Sequence, residues 1–388
     1  MKYSIYIRGR AWSFQLASSL NKINKLKFLV TSYPKFYVKK YNVPRKLIKS
    51  VFFLEILIRV LKKINPYLSK IKITLDPHII VSWITDYIYS TFYLSDADVY
   101  ILGFGNISSK IIKKAKKKGI KTIYFLNTNS PKECERIFRS EYKKFGLLDR
   151  CNMENKLITN KTNENIKDAD YVGCISSFQK NNYIKEGLVS EDKILSTIMS
   201  VDTSVFYPKK IHNKKFRVIG VGNNFITKGF KYLIEAFNNL KLPNSELLLV
   251  GDLDKKIISK IIKLEENNRI IGTVNEFDLP KYYNQSSIFC LPTLTEGAPA
   301  VISQALACGL PIIVTKNCHG PEVINGGCNG FVIEEMNSKS IEEKIKFFYD
   351  NPKEMTEMGI AAAAYAREKL SFDVMAQDIN KFFENINK

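Results

Sequence analysis

The chain has 388 residues, a formal net charge of +21, 45% hydrophobic and 12% aromatic residues. That composition excludes a disordered chain, and the length exceeds one compact core, so two domains are expected. The seven cysteines (Cys134, Cys151, Cys174, Cys290, Cys308, Cys318 and Cys328) are odd in number and never in CxxC spacing. They read as reduced thiols of a cytosolic protein, not as a disulfide frame or a zinc site.

The opening MKYSIYIRGRAWSF is too charged, and its apolar run too short, for a signal peptide. YSIYI reads as a strand ending at Arg8-Gly9-Arg10 before a helix. Gly9 suits a tight first loop, and the two arginines are either surface charge or contacts to a phosphate. KFLVTS is a second strand. RKLIKSVFFLEILIRVLKKINPYLSK, residues 45–70, reads as one basic amphipathic helix stopped by Pro66. Two readings stay open for it: packing on the core, or lying on an anionic membrane. No stretch reaches about 18 uncharged apolar residues, so no transmembrane helix is expected. VYILGF, a helix over 107–119, TIYFLN running into Asn127, and YVGCIS continue the alternation. A polar segment around Pro208 reads as a linker over about 205–215.

Beyond it come FRVIGVG, ELLLVGD, RIIGTV, IFCLPT and PIIVT, and the tail from Asn351 reads as helices. Short apolar runs alternating with helices predict parallel sheets in an α/β fold. Ligands of such sheets bind beyond the carboxyl ends of the strands, so the loops there are the candidates. After FRVIGV, Gly222 and Asn223 lead to Lys228-Gly229 at a helix start. Lys228 is either a solvated lysine or a phosphate cation at a helix amino end. After RIIGT, the turn near Val274 precedes a helix starting behind Asn275 or Asp278. After IFCLPT, Glu296 either caps the following helix or holds ligand hydroxyls. Gly297 and Pro299 keep that turn open to a ligand. Counting 100° per residue from Glu296, Gln304 leans toward the same cleft.

These loops, in this order, resemble the donor half of the retaining GT-B glycosyltransferases of glycosyltransferase family 4. The resemblance runs over about residues 170–335 and is carried by SSFQKNNYIKEGLVSEDKILSTIMSVDTSVFYP, VGNNFITKGFKYLIEAF, LLLVGD and PTLTEGAPAVISQALACGLPIIVTKNCHGPEVINGGCNGFVI. It implies two Rossmann-like domains facing across a cleft. Residues 1–208 would bind the acceptor, with the helix 371–388 packing back on them, and 209–370 would bind the nucleotide-sugar donor. It implies that Lys228 binds the donor diphosphate and Glu296 the sugar hydroxyls, these two being the catalytic pair. Gly222, Asn223, Val274, Gly297, Ala298, Pro299, Ala300, Val301 and Gln304 would complete the donor site, with Arg8, Gly9, Arg10 and Asn127 on the acceptor and phosphate side. Three departures stand out: Gln304 replaces the family's second Glu, Asn223 its usual Arg, and Asn127 follows the strand where many members carry His.

The implied function is retaining, metal-independent transfer of a hexosyl group from a UDP- or GDP-linked donor to a cell-envelope glycan or lipid-linked acceptor. The nucleotide sugar is a co-substrate and no cofactor is expected. The rival readings are a degenerate binding protein and a nucleotide-sugar epimerase. Asp-x-Asp pairs at 96/98, 168/170 and 252/254 read as turn residues rather than metal ligands. Residues 1–150 carry 30 Lys and Arg against 9 acids, and residues 151–388 carry 29 against 29. The basic half draws anionic surfaces or is simply solvated; the former places the protein in the cytoplasm, peripheral on the inner face of the plasma membrane. No RNA-binding signature is present, so nucleic acid is not an expected partner.

Overall fold

Ten apolar runs of the sequence become parallel strands, because a strand covered by helices on both faces must be apolar almost throughout. The computed structural model describes residues 1–9, 12–70, 76–103, 108–151, 156–209 and 215–386, with backbone only at Pro66 and 68–70. Arg10, position 107, the linker residues 210–214 and the last two residues of the expected C-terminal helix lie outside the described residues.

The first sheet contains β1 (Tyr3–Ile7), β2 (Leu26–Thr31), β3 (Ile48–Ser50), β4 (Val99–Gly103), β5 (Lys121–Phe125), β6 (Tyr171–Cys174) and β7 (Ile194–Ser196). Its order is β3-β2-β1-β4-β5-β6-β7, with every pair parallel. The second contains β8 (Phe216–Val221), β9 (Ser245–Val250), β10 (Asn268–Ile271), β11 (Ile288–Leu291), β12 (Ile312–Thr315) and β13 (Gly330–Ile333). Its order is β10-β9-β8-β11-β12-β13, again parallel throughout. Each sheet therefore starts in its middle and grows outward in both directions, the doubly wound arrangement.

Sequence reading missed β3, β7 and β13, and all three are edge strands of three or four residues. Edge strands are kept short, so they leave no long apolar run to read. The stretch 45–70 is not one helix. Ile48–Ser50 pairs with Leu29–Thr31, and the helix starts only at Phe53. Nor does Pro66 stop it, since the helix continues to Lys70. The carbonyl of Lys62, which a proline at 66 deprives of its partner, belongs to an exposed residue, so water can take that bond.

The two sheets exchange packing elements. The last helix, Phe372–Ile386, buries Phe372, Met375, Ala376, Ile379 and Phe383 in the core of the first sheet. In return, Ile137, Tyr142 and Leu147, from and just after the helix Pro131–Lys144, enter the core of the second sheet. The Phe383 ring meets Tyr3 at 6.1 Å and Tyr171 at 5.4 Å, both edge-on. Phe383→Ala is expected to destabilise the first-sheet unit by about 3 kcal/mol. An unchanged midpoint in urea unfolding followed by circular dichroism would show that the last helix contributes little there.

Candidate functional site

The second sheet reverses its strand order between β8 and β11. The crevice outside the carboxyl ends at such a reversal is where open α/β sheets take ligands. Two loops line it, 222–229 after β8 and 292–299 after β11.

The first loop folds on Asn224, which is left-handed at φ 69°. Its Oδ1 accepts from the amides of Ile226 (3.1 Å) and Thr227 (3.2 Å). That turn returns Lys228 over the strand end, where a Cβ on Gly222 would lie 3.0 Å from the lysine Cε. Gly229 follows at φ +68°, and a Cβ there would lie 2.0 Å from the Pro292 carbonyl oxygen. Only glycine permits both that dihedral and that approach. Asn223 is exposed, and its Oδ1 accepts from the Asp252 amide at 2.8 Å.

The second loop is bonded on three sides. The Thr227 carbonyl accepts from Thr293 Oγ1 (3.1 Å) and from the Leu294 amide (2.9 Å). Asn317 donates Nδ2 to the Leu294 carbonyl (2.9 Å) and accepts the Glu296 amide on its own carbonyl (2.9 Å). From the first sheet, Asn129 Nδ2 donates to Thr295 Oγ1 (2.8 Å) and Ser176 Oγ to the Gly297 carbonyl (2.7 Å). Gln179 Nε2 donates to the Thr128 carbonyl at 2.7 Å, and a Cβ on Gly297 would fall 2.9 Å from that nitrogen.

Glu296 therefore sits on a fixed backbone with its side chain in the crevice. Its Oε1 pairs with Lys228 Nζ, the two side chains being 22% and 15% exposed. Its Oε2 is buried without a hydrogen-bond partner. Buried carboxylate oxygens are normally bonded, so a bare one marks a place for a donor. Glu296 does not cap the following helix, Ala300–Ala307, whose N-cap is Pro299 and lacks a side-chain bond. The crevice thus offers a cation for an anionic group beside a carboxylate oxygen for a hydroxyl.

Gly222, Lys228, Glu296 and Gly297 meet in this crevice. Ala298 and Ala300 pack against the core of the first sheet, and Pro299 is buried. The carbonyl of Val301 and Oε1 of Gln304 both face the Tyr283 hydroxyl at 3.3 Å. The 100° count from Glu296 to Gln304 fails because the helix begins only at Ala300. Val274 packs partly buried against the second core. Asn127 is exposed, and the residue that reaches the second domain is Asn129. On the first sheet Gly9 (φ +85°) donates its amide to Ser32 Oγ at 2.8 Å, and Ser32 donates to Glu55 Oε1 at 2.5 Å. Arg8 has a buried Nε without a partner, and burial pulls its pKa down against Glu55, Tyr89 and Asp76. Asn129, Ser176 and Gln179 went unassigned from sequence, being common polar residues whose partners are over a hundred positions away or on another loop.

Four of the six Asp-x-Asp residues have structural partners through their side chains. Asp96 pairs with Lys27, Asp98 accepts from the Lys2 amide, Asp170 binds Thr122 and Asp254 caps the helix Lys255–Ile261. Among the described residues no group of three or more His, Cys, Asp or Glu is placed to hold a metal ion. Cys174, Cys290, Cys308, Cys318 and Cys328 are free thiols.

His319, in the loop after β12, is fully buried. Its Nε2 lies 3.3 Å from Ser303 Oγ, and that hydroxyl donates its proton to the Met199 carbonyl. Nε2 therefore carries the ring hydrogen, and Nδ1 is left without a partner. Burial pushes the ring's pKa down to about 3 from 6.5. In that window the unfolded chain binds the proton and the folded chain does not, so stability falls as pH drops below 6.5. Between pH 7 and pH 5 the wild type is expected to lose about 2 kcal/mol more than His319→Gln. Parallel urea-unfolding curves at the two pH values would overturn this if both proteins lost stability equally.

Residues 204–365 match the family model described as Glycosyl transferases group 1. An uncharacterized glycosyltransferase of Haemophilus influenzae is 33% identical over 150 residues, 37% of this chain and 41% of that protein. The capsular polysaccharide biosynthesis glycosyltransferase CapM of Staphylococcus aureus is 24% identical over 233 residues, 55% of this chain and 61% of CapM. The chain thus spans about half the length of these relatives. Among solved structures, TarM superposes with a TM-score of 0.71 at 14% identity, covering 100% of this chain and 99% of TarM. Anabaena HepE in complex with UDP-glucose gives 0.66 at 14% identity, covering 99% and 100%. The architecture is GT-B, and the second of its two domains is the part that matches the glycosyl transferases group 1.

Proposed function

We propose that this chain transfers a sugar from a UDP- or GDP-linked donor to a cell-envelope glycan or lipid-linked acceptor, with retention of configuration and without a metal ion. The observation that carries the reading is the Lys228–Glu296 pair at the strand-order reversal, with Glu296 Oε2 left bare. A nucleotide-diphosphate sugar presents the two groups this pair lacks, an anion and a hydroxyl array. The relatives' names support a role in capsule or exopolysaccharide assembly, and the HepE complex supports a nucleotide-sugar donor.

On binding, the diphosphate takes Lys228 away from Glu296. The helix Ala300–Ala307 opens at the end of this loop, and a helix amino end offers unpaired donors to an anion. The freed Glu296 carboxylate accepts from sugar hydroxyls and orients the ring. The bond between the anomeric carbon and the diphosphate oxygen breaks, and the acceptor oxygen bonds to the same face. The departing phosphate oxygen takes the acceptor's proton. Lys228 meets the charge that grows on the diphosphate, which lowers the barrier. Asn223, tied to Asp252, supplies no second cation, so the reading places that demand on Lys228. The first domain, holding Gly9 and Arg8, receives the acceptor.

Thermal-shift measurements with UDP, GDP and their common sugars test the donor site. One nucleotide sugar at a hundredfold excess over its Kd is expected to stabilise the wild type by about 2.7 kcal/mol, a rise of several degrees. Glu296→Ala is expected to weaken its binding about tenfold while leaving the bare nucleotide's effect largely intact. No shift with any nucleotide would replace this reading with that of a binding protein, and turnover of the donor without acceptor would replace it with an epimerase. Lys228→Ala is expected to lower kcat about 100- to 1000-fold in a transfer assay, with EDTA harmless to the wild type. A near-normal kcat in that variant, or a rate that EDTA abolishes and Mg2+ restores, would overturn the mechanism.

A further inference from the structure

The helix Phe53–Lys70 buries only one side. Leu54 and Ile58 enter the core of the first domain, with Val51 just ahead of them. Phe53, Ile56, Val60 and Ile64, spaced three, four and four residues apart, form a continuous stripe between 42% and 53% exposed. At 100° per residue this stripe lies beside the core-facing side, and Arg59 and Lys63 line its other edge, both exposed. An apolar stripe of this length facing water is the feature that marks an interaction surface.

Its surroundings state the partner's chemistry. Residues 35–70 hold ten Lys and Arg and one acid, Glu55. Glu55 is turned away from the stripe and bound by Ser32. Ahead of the helix, Phe36 and Phe52, each more than half exposed, open on a groove of about 1010 Å³ rimmed by Lys35, Lys39 and Arg45. Among the described residues no helix is long and apolar enough to cross a membrane.

We infer that the helix Phe53–Lys70, with the Phe36–Phe52 groove, lies in the plane of an anionic lipid bilayer, its stripe sunk among the headgroups and its cations on their phosphates. A flat, dense layer of anions above hydrocarbon matches a linear apolar stripe edged by cations. A second copy of this chain would bring two cationic clusters together, and nucleic acid would leave the stripe wet. Glu55, Ser32 and the Gly9 amide tie the start of this helix to the turn after β1. The surface is distinct from the crevice and stands or falls without the transfer reading.

Co-sedimentation with phosphatidylglycerol–phosphatidylcholine vesicles, against phosphatidylcholine alone, tests it on the full chain. The wild type is expected to pellet with the mixed vesicles and to stay in solution with the neutral ones. The Phe53→Ser/Ile56→Ser/Val60→Ser/Ile64→Ser variant keeps every charge and is expected to bind at least about tenfold more weakly. Its melting curve should stay close to that of the wild type, since the altered side chains face water. As a second measurement, Ile56→Trp is expected to show a blue shift of emission, relative to wild type, on adding the mixed vesicles. Equal binding by wild type and serine variant would mean attraction by charge alone and would overturn the proposal. So would a wild type that ignores the mixed vesicles, or a lipid-free dimer that the serine substitutions dissociate.

Discussion

The close approach of three loops around Glu296 governs the rest of the site. Two glycines set the distances: Gly229 against the Pro292 carbonyl, and Gly297 against Gln179 and the 128–129 segment of the other domain. A side chain at either position would push the post-β11 loop off its neighbours. Held as it is, the Glu296 backbone carries its side chain into the crevice, where it is 22% exposed. One oxygen takes the nearest cation, Lys228, and the other stays bare. A partly buried ion pair with an unfilled acceptor is poor as a structural device, because desolvation offsets much of its attraction. It makes more physical sense as a pair waiting for a ligand that satisfies both members.

Bonds between the domains end on the same loops. Tyr142 of the first domain accepts from Asn224 Nδ2 at 3.0 Å, and Asn224 shapes the turn that carries Lys228. Asn129 and Ser176 hold the loop that carries Glu296. Any change in the angle between the domains therefore acts on both members of the ion pair. Further out, Tyr232 donates to Glu141 at 2.5 Å, and Lys40 lies 4.2 Å from the Phe277 ring centroid. The exchange of packing, with Phe372–Ile386 in one core and Ile137 and Tyr142 in the other, makes the first and second domains depend on each other for stability.

Most of the sheet architecture was legible in the sequence because a doubly covered parallel strand leaves an unmistakable apolar run. Ten strands showed this way. The three that did not, β3, β7 and β13, are edge strands too short to carry a pattern. The stretch 45–70 misled for the same reason: three residues of β3 hide inside an amphipathic pattern, and Pro66 breaks the ladder only where water can repair it. Among the candidate site residues, Lys228, Glu296, Gly222 and Gly297 were readable because they lie in loops that follow strands. Gln304 was placed by a helical count that began four residues before its helix, and its Oε1 accepts from the Tyr283 hydroxyl.

The sequence by itself determined the alternation of strands and helices, and with it the loops in which any ligand chemistry had to lie. It also determined the one-sided charge, since composition needs no fold. Only the tertiary structure decided which loops meet. Asn129, Ser176 and Gln179 act on a loop that is distant in sequence, and no local pattern encodes that contact. Nor could spacing tell which apolar residues of 53–64 face the core and which face water, because both stripes repeat with the period of the helix. Packing against the neighbouring elements alone separates them.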